Sequence, residues 1–234
     1  DAESLRNKKV EVLKAIRRWT PEEATENAVR GQYRGYLEER GVGSGSTTAT
    51  YAALRLYIDN WRWQGVPFYL RSGKAMAEKV SEIAIQFRHP PHMMFTPGPG
   101  DQLTPNVLGL CIQPDEGIHL KFEVKVPDQG MTMRSENMEF HYGSAFRDQA
   151  IPEAYERLLQ DALDGDASLF IRSDHIEEAW RVVDPLLAAW EGADSSPPHL
   201  YDPGSWGPGA ADDLLSKDGR SWIRGCGVHD DTDG

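Results

Sequence analysis

The stretch IHLKFEVKV at residues 118–126 constrains the fold more than any other part of the chain. Ile118, Leu120, Phe122, Val124 and Val126 alternate with His119, Lys121, Glu123 and Lys125. A period of two fits a pleated strand with one apolar and one polar face, and does not fit a helix. The pattern recurs three times. Leu54, Leu56 and Ile58 alternate with Arg55, Tyr57 and Asp59; Ile83, Ile85 and Phe87 alternate with Glu82, Ala84 and Gln86; Met138, Phe140 and Tyr142 repeat it in NMEFHY. These segments follow one another with little helical sequence between them, which favours an antiparallel or mixed sheet over a doubly wound one. Each strand is expected to bury its apolar face. The polar face carrying Lys121, Glu123 and Lys125 suits either water or a second subunit.

Helical patterns flank the strands. Leu5, Val10, Val12, Leu13 and Ile16 predict a helix over 3–17, followed by a strand at 26–34. GVGSGSTT at 41–48 reads as a Gly/Ser loop. PEAYERLLQDALDG opens with Pro152, suited to a first helical turn, and ends near Gly165. In SDHIEEAWRVVDPLLAAWEG, Ser173 or Asp174 is the expected N-cap. Ile176, Trp180, Val183 and Leu187 fall on one face, and Pro185 is expected to kink or break the helix. A short helix is predicted at GAADDLLSKD, and the end, GCGVHDDTDG, is expected to fray. The predicted class is α+β, with a large, mostly antiparallel or mixed sheet covered by helices on one face.

Among 234 residues, 25 are basic and 37 acidic, giving a formal net charge of -12. With no run of Lys or Arg, a nucleic-acid partner is not expected. No apolar run approaches the ~18 residues of a membrane span, and no signal-peptide pattern opens the chain. Cys111 and Cys226 form no CxxC, so neither a disulfide framework nor a zinc site is expected. His89 and His92 of HPPH lack a third ligand. Ser173, Asp174 and His175 are neighbours in sequence, which is not how a catalytic triad is built. A soluble cytoplasmic protein is the expectation. The opening DAESLRNKKVEVLKAI has no initiator Met and reads as an internal starting point of a longer protein.

Against this acidic background, PFYLRSGKAMAEKVSEIAIQF at 67–87 reads as a strand, a short loop holding Arg71, Lys74 and Lys79, and a second strand. The cluster suits an anion, or simply a solvated turn. SGKA resembles the end of a P-loop, but Phe68 stands where the first glycine belongs and Ala75 replaces the Ser/Thr that meets magnesium. Gly73 is expected to give the loop a tight backbone that closes on a ligand.

KVEVLKAI, VRGQY, STTATYAALRLYIDNWRWQGVPFYLRSGKAM, IQPDEGI, PEAYERLLQDALDGDASLFIRSDHIEEAWRVVDPLL and GSWGPGAADDLL, in that order and spanning Arg6 to Trp222, resemble the C-terminal part of glucose-6-phosphate dehydrogenases. The glycine-rich NADP turn of that family's N-terminal domain, its R-I-D-H-Y-L-G-K motif and its catalytic histidine have no counterpart here. The resemblance implies one C-terminal substrate and oligomerisation domain over 1–225, with residues 226–234 a disordered tail. It implies an NADP-dependent oxidoreductase of the pentose phosphate pathway that oxidises glucose 6-phosphate to a lactone, with base and nicotinamide site outside this chain.

It further implies that Lys74, Lys79 and Gln113 contact the substrate and that copies of the chain form a dimer or tetramer through the sheet. Some family members hold a second, structural NADP on this domain. Here Val80, Ala84, Cys111 and Trp206 stand where that site wants Arg or Lys, and His119 replaces a tyrosine. Arg71, Lys121 and Trp222 remain, so no structural NADP is expected. A non-catalytic sugar-phosphate-binding or regulatory module of the same fold is the alternative reading.

Overall fold

The computed structural model describes residues 1–89, 103–130, 132–146, 154–192 and 195–224. In chain order its elements are α1 (Ala2–Ala15), α2 (Pro21–Asn27), β1 (Ala28–Tyr33), β2 (Tyr51–Tyr57), β3 (Pro67–Gly73), β4 (Ser81–Gln86), β5 (Val107–Gln113), β6 (Gly117–Lys125), β7 (Met133–His141), α3 (Tyr142–Ala145), α4 (Ala154–Asp164), α5 (Ser173–Glu191), β8 (His199–Tyr201) and α6 (Gly209–Ser216). The α+β class holds, but the strands form two four-stranded sheets rather than one. The chain divides into two compact units, one of residues 1–77 and 152–222, the other of 78–151 and 223–234.

In the first unit the sheet order is β3-β2-β1-β8, with β8 parallel to β1 and the other pairs antiparallel. Both faces of this sheet are covered, not one. Leu56 of β2 and Ala28 of β1 join Trp19, Ala24 of α2, and Val182 and Leu186 of α5. Tyr51 and Ala53, of opposite parity on β2, join Tyr201, Ala211, Leu214 and Leu215 beneath α6. Tyr51 and Ala53 are themselves apolar enough to bury, so β2 has two core faces where simple alternation implies one.

Local chemistry explains the helices. Asp1 caps α1 by accepting the Ser4 N–H at 2.7 Å. The unpredicted α2 begins with a capping box, Thr20 and Glu23 each bonding the other's backbone, and has Pro21 in its first turn. The α5 helix runs unbroken through Pro185. Its buried positions are Glu178, Val182 and Leu186 rather than the predicted Ile176, Trp180, Val183 and Leu187, and Ile176 and Trp180 are exposed. Its N-cap is Arg172, without a side-chain cap bond; Asp174 instead pairs with Arg172 at 2.7 Å. Arg30 is buried on β1, where its guanidinium donates to the carbonyls of Trp190 and Ser196 and so closes the C-terminal end of α5.

In the second unit β4, β5, β6 and β7 pair in sequence order, all antiparallel. The expected burial of one apolar face is not found. Ile83, Ile118, Met138 and Phe140 are all exposed. Alternation shows that a face needs a cover; it does not say that the same chain supplies it. Cys111 of β5 is disulfide-bonded, contrary to the expectation from sequence, where the lack of a CxxC pair left long-range pairing invisible. His92, Pro152 and the tail at 226–234 lie outside the described residues.

Candidate functional site

The segment that carries the clustered cations is not a hairpin. β3 is an edge strand of the first sheet and β4 an edge strand of the second, so residues 74–80 carry the chain from one sheet to the other. Arg71 lies on β3 itself, opposite Ala53 of β2. Its guanidinium carbon sits 4.8 Å from the ring centre of Trp206 and 4.5 Å from that of Trp222, a cation held between two indoles. Arg71 therefore has a structural post. Lys74 and Lys79 differ: both are exposed, and neither ammonium has a hydrogen bond or ion pair among the described residues.

The main chain at Lys74 is fixed from two sides. Its N–H donates to the Thr50 carbonyl at 2.8 Å, and its carbonyl accepts from the Tyr201 hydroxyl at 2.7 Å. The Thr50 hydroxyl accepts the Tyr33 N–H at 2.9 Å and lies 3.0 Å from the Tyr201 oxygen. Ala75, which follows, has φ of 49°, and its carbonyl accepts the Gly204 N–H at 2.8 Å. The Ala77 N–H then donates to the Ser205 carbonyl at 2.9 Å. Lys74 thus has a positioned backbone and a side chain in solvent, which suits a cation that awaits an anion. Nothing in the local sequence marks Thr50 or Tyr201 for this work; their chain separation of 151 residues hides it.

Gly73 does not serve as a flexible point. A Cβ there would lie 2.8 Å from both Met76 Sδ and Tyr51 Cδ2, so its role is close packing. Gly207, at φ of 109°, similarly admits the Tyr51 ring; a Cβ there would meet Cε2 at 2.4 Å. Burial, the largest cause, pushes the Tyr51 phenol up to about 12, with the charge of Arg71 acting in the opposite direction. Nearby, Asp218 receives Arg55 at 2.9 Å and the Tyr69 hydroxyl. These bonds, that of Tyr69 first, hold its carboxyl below the usual range, while burial and Asp218 push the Tyr69 phenol up.

Lys74 belongs to the first unit; Lys79 and Gln113 belong to the second. Gln113 is the exposed last residue of β5 and stands opposite Ser81 of β4, two residues beyond Lys79. The structure therefore brings Lys79 and Gln113 to the same end of one strand pair. The dinucleotide positions can be tested against their surroundings. Cys111 is buried and its sulfur bonded, and Arg71 is stacked between indoles. Val80 and Ala84 offer no charge. Of these positions only Arg71 carries a charge, and it faces two indole rings. Among the described residues no group of His, Cys, Asp and Glu is arranged to hold a metal.

A family model described as glucose-6-phosphate dehydrogenase, C-terminal domain, matches residues 1–223. The chain is 42% identical over 238 residues to glucose-6-phosphate 1-dehydrogenase of Aggregatibacter actinomycetemcomitans, covering 97% of this chain and 47% of that protein. It is 43% identical over 231 residues to glucose-6-phosphate 1-dehydrogenase 2 of Mycobacterium tuberculosis H37Rv, covering 94% and 44%. Among solved structures, glucose-6-phosphate 1-dehydrogenase from Mycobacterium avium matches with a TM-score of 0.77 at 41% identity, over 95% of this chain and 45% of that one. A glucose-6-phosphate dehydrogenase in complex with its substrate glucose-6-phosphate matches with a TM-score of 0.84 at 35% identity, over 96% and 46%. The chain spans about half the length of the curated relatives it matches.

Proposed function

The chain belongs to the glucose-6-phosphate dehydrogenase family, as its C-terminal domain, and from that premise we propose that it is the substrate-side part of an NADP-dependent enzyme oxidising glucose 6-phosphate to 6-phosphogluconolactone. The observation that carries this is Lys74: backbone held by Thr50 and Tyr201, ammonium exposed. In the reaction NADP supplies the hydride acceptor, bound by a part of the protein beyond this chain, as is the base that takes the hydroxyl proton. The chain's own task is binding and orientation. Lys74 and Lys79 donate charge-assisted hydrogen bonds to the anionic sugar phosphate, and Gln113 donates to one hydroxyl while accepting from another.

The assembly assigned to this chain is a homo-oligomer through the second unit's sheet. Support comes from the apolar side chains that β4, β6 and β7 leave in solvent, Ile83, Ile118, Met138 and Phe140. The apolar face, rather than the polar face of Lys121 and Glu123, is the better candidate. No described helix is long and apolar enough to cross a membrane, and a cytoplasmic site of action is part of the proposal. The test is direct. The purified chain mixed with glucose 6-phosphate and NADP yields no NADPH, whereas the longer parent protein does. A parent that produces no NADPH from glucose 6-phosphate sinks the proposal.

A further inference from the structure

Gln32, on β1, is a buried polar side chain whose bonds lie outside the sheet. It is 4% exposed, and a carboxamide removed from water needs replacement partners. Its Nε2 donates to the Ser46 and Thr48 carbonyls, both at 3.0 Å, so both amide hydrogens are committed. The two acceptors are the ends of one turn, in which the Ser46 hydroxyl accepts the Thr48 N–H at 3.3 Å. Before this turn the loop from β1 to β2 runs through Gly41, Gly43, Ser44 and Gly45, all exposed. After it comes Thr50, whose N–H donates to the Gly31 carbonyl at 2.9 Å and whose carbonyl receives the Lys74 N–H. Gln32 therefore stands at the boundary between the exposed part of the loop and the residue that holds Lys74.

We propose that Gln32 is a positioning residue for Lys74: by clamping the turn at Ser46–Thr48 it keeps movement of the glycine-rich stretch from reaching the Thr50 carbonyl. This rests on the sugar-phosphate role proposed above for Lys74. The chemistry of the turn selects an amide. Two carbonyl oxygens call for two N–H donors on one side chain. A carboxylate of the same length only accepts, and a thioether of similar length donates nothing. The influence of Gln32 on the ammonium runs through main chain alone, from Ser46–Thr48 to Thr50 and on to Lys74. Thr50 keeps its own bonds to Gly31 and Tyr33, so loss of the clamp is expected to loosen Lys74 rather than unfold the sheet.

Steady-state kinetics of the full-length parent test this with wild type, Gln32→Met, Lys74→Ala and the double variant. Gln32→Met is expected to lower kcat/KM for glucose 6-phosphate roughly tenfold and to leave KM for NADP unchanged. In the Lys74→Ala background the same change is expected to cost less than about twofold, since the lysine it positions is gone. Equal losses in the two backgrounds, or no loss in the wild-type background, overturn the proposal. If the Met variant does not fold, Gln32→Asn, which keeps both donors on a shorter stem, enters the same cycle under the same criteria. Hydrogen exchange gives an independent reading. In either variant the peptide holding Lys74 is expected to exchange several-fold faster than in wild type; unchanged exchange there overturns the clamp. Lys74→Ala with wild-type kinetics removes the functional reading and the positioning role with it. A loss on Lys74→Ala with an additive loss on Gln32→Met removes the positioning role alone.

Discussion

The Tyr201 hydroxyl donates to the backbone carbonyl of Lys74 across 2.7 Å, although 127 residues separate them. A tyrosine that need never touch the sugar phosphate thereby sets where the lysine stands. Tyr201→Phe is expected to cost about 1 kcal/mol of stability, since it leaves a half-buried acceptor short of a partner. In the parent enzyme it should lower kcat/KM for glucose 6-phosphate while leaving KM for NADP unchanged. Denaturant unfolding and steady-state kinetics check both; unchanged sugar-phosphate kinetics would dismiss the positioning role.

Lys74→Ala in the parent removes a charge-assisted hydrogen bond, of order 1.5–3 kcal/mol, or roughly 10- to 100-fold in kcat/KM for glucose 6-phosphate. Lys74→Arg should restore only part of this, because a planar fork does not replace a point donor. If the Ala variant keeps wild-type KM and kcat for the sugar phosphate, the segment is a solvated crossing and nothing more.

Gly207→Ala should destabilise the first unit by about 1–3 kcal/mol, because the new Cβ meets the Tyr51 ring and an L-residue is forced to positive φ. Gly73→Ala should cost less, since Met76 on one side of the added carbon is flexible. Thermal melts of the two variants give the order; a more damaging Gly73→Ala would contradict the packing argument.

Tyr51 and Asp218 each contribute to the dependence of stability on pH. Tyr51 titrates at about 12 in the folded chain against an ordinary 10. Its contribution is complete below pH 10 and is lost as pH rises through 12. Asp218 is held below its ordinary value, so its contribution is present above about pH 4 and lost as pH falls further. Tyr51→Phe, which also removes a buried hydroxyl that lacks a hydrogen-bond partner among the described residues, should lessen the alkaline fall without harming stability at neutral pH. Asp218→Asn should flatten the acid limb. Unfolding free energies measured across pH decide each case.

Met138→Glu, at a position 62% exposed on β7, should shift the protein toward monomer in light scattering while changing monomer stability by only about 0.5 kcal/mol. Unaltered assembly would exclude this face as the subunit contact.

Much of the fold was legible because alternation is a strong signal. The segments containing Leu54, Ile83, Leu120 and Phe140 are all strands. Their grouping into two sheets was not legible, since strand pairing between distant segments leaves no mark on either one. β5 was missed because Leu108, Leu110 and Ile112 are interrupted by Gly109 and Cys111, which blur the polar positions. The exposed placement of Lys74 followed from its cationic, glycine-flanked surroundings. Its support by Thr50 and Tyr201 did not, because a buried hydroxyl network is a property of packing rather than of spacing. The α5 stripe was misplaced because Ile176 and Trp180 look like core residues, yet they face solvent.

The crossing from β3 to β4 also bears on which changes in length the protein tolerates. Residues 74–80 leave one sheet and enter another. The first four are further tied to Thr50, Tyr201, Gly204 and Ser205 by the bonds already described. An inserted or deleted residue among these four would break such a bond and displace Lys74. Around Gly41, Gly43 and Gly45 nothing lies within 4 Å of an added Cβ. Variation in loop length among related sequences is therefore expected to collect there and to spare the crossing.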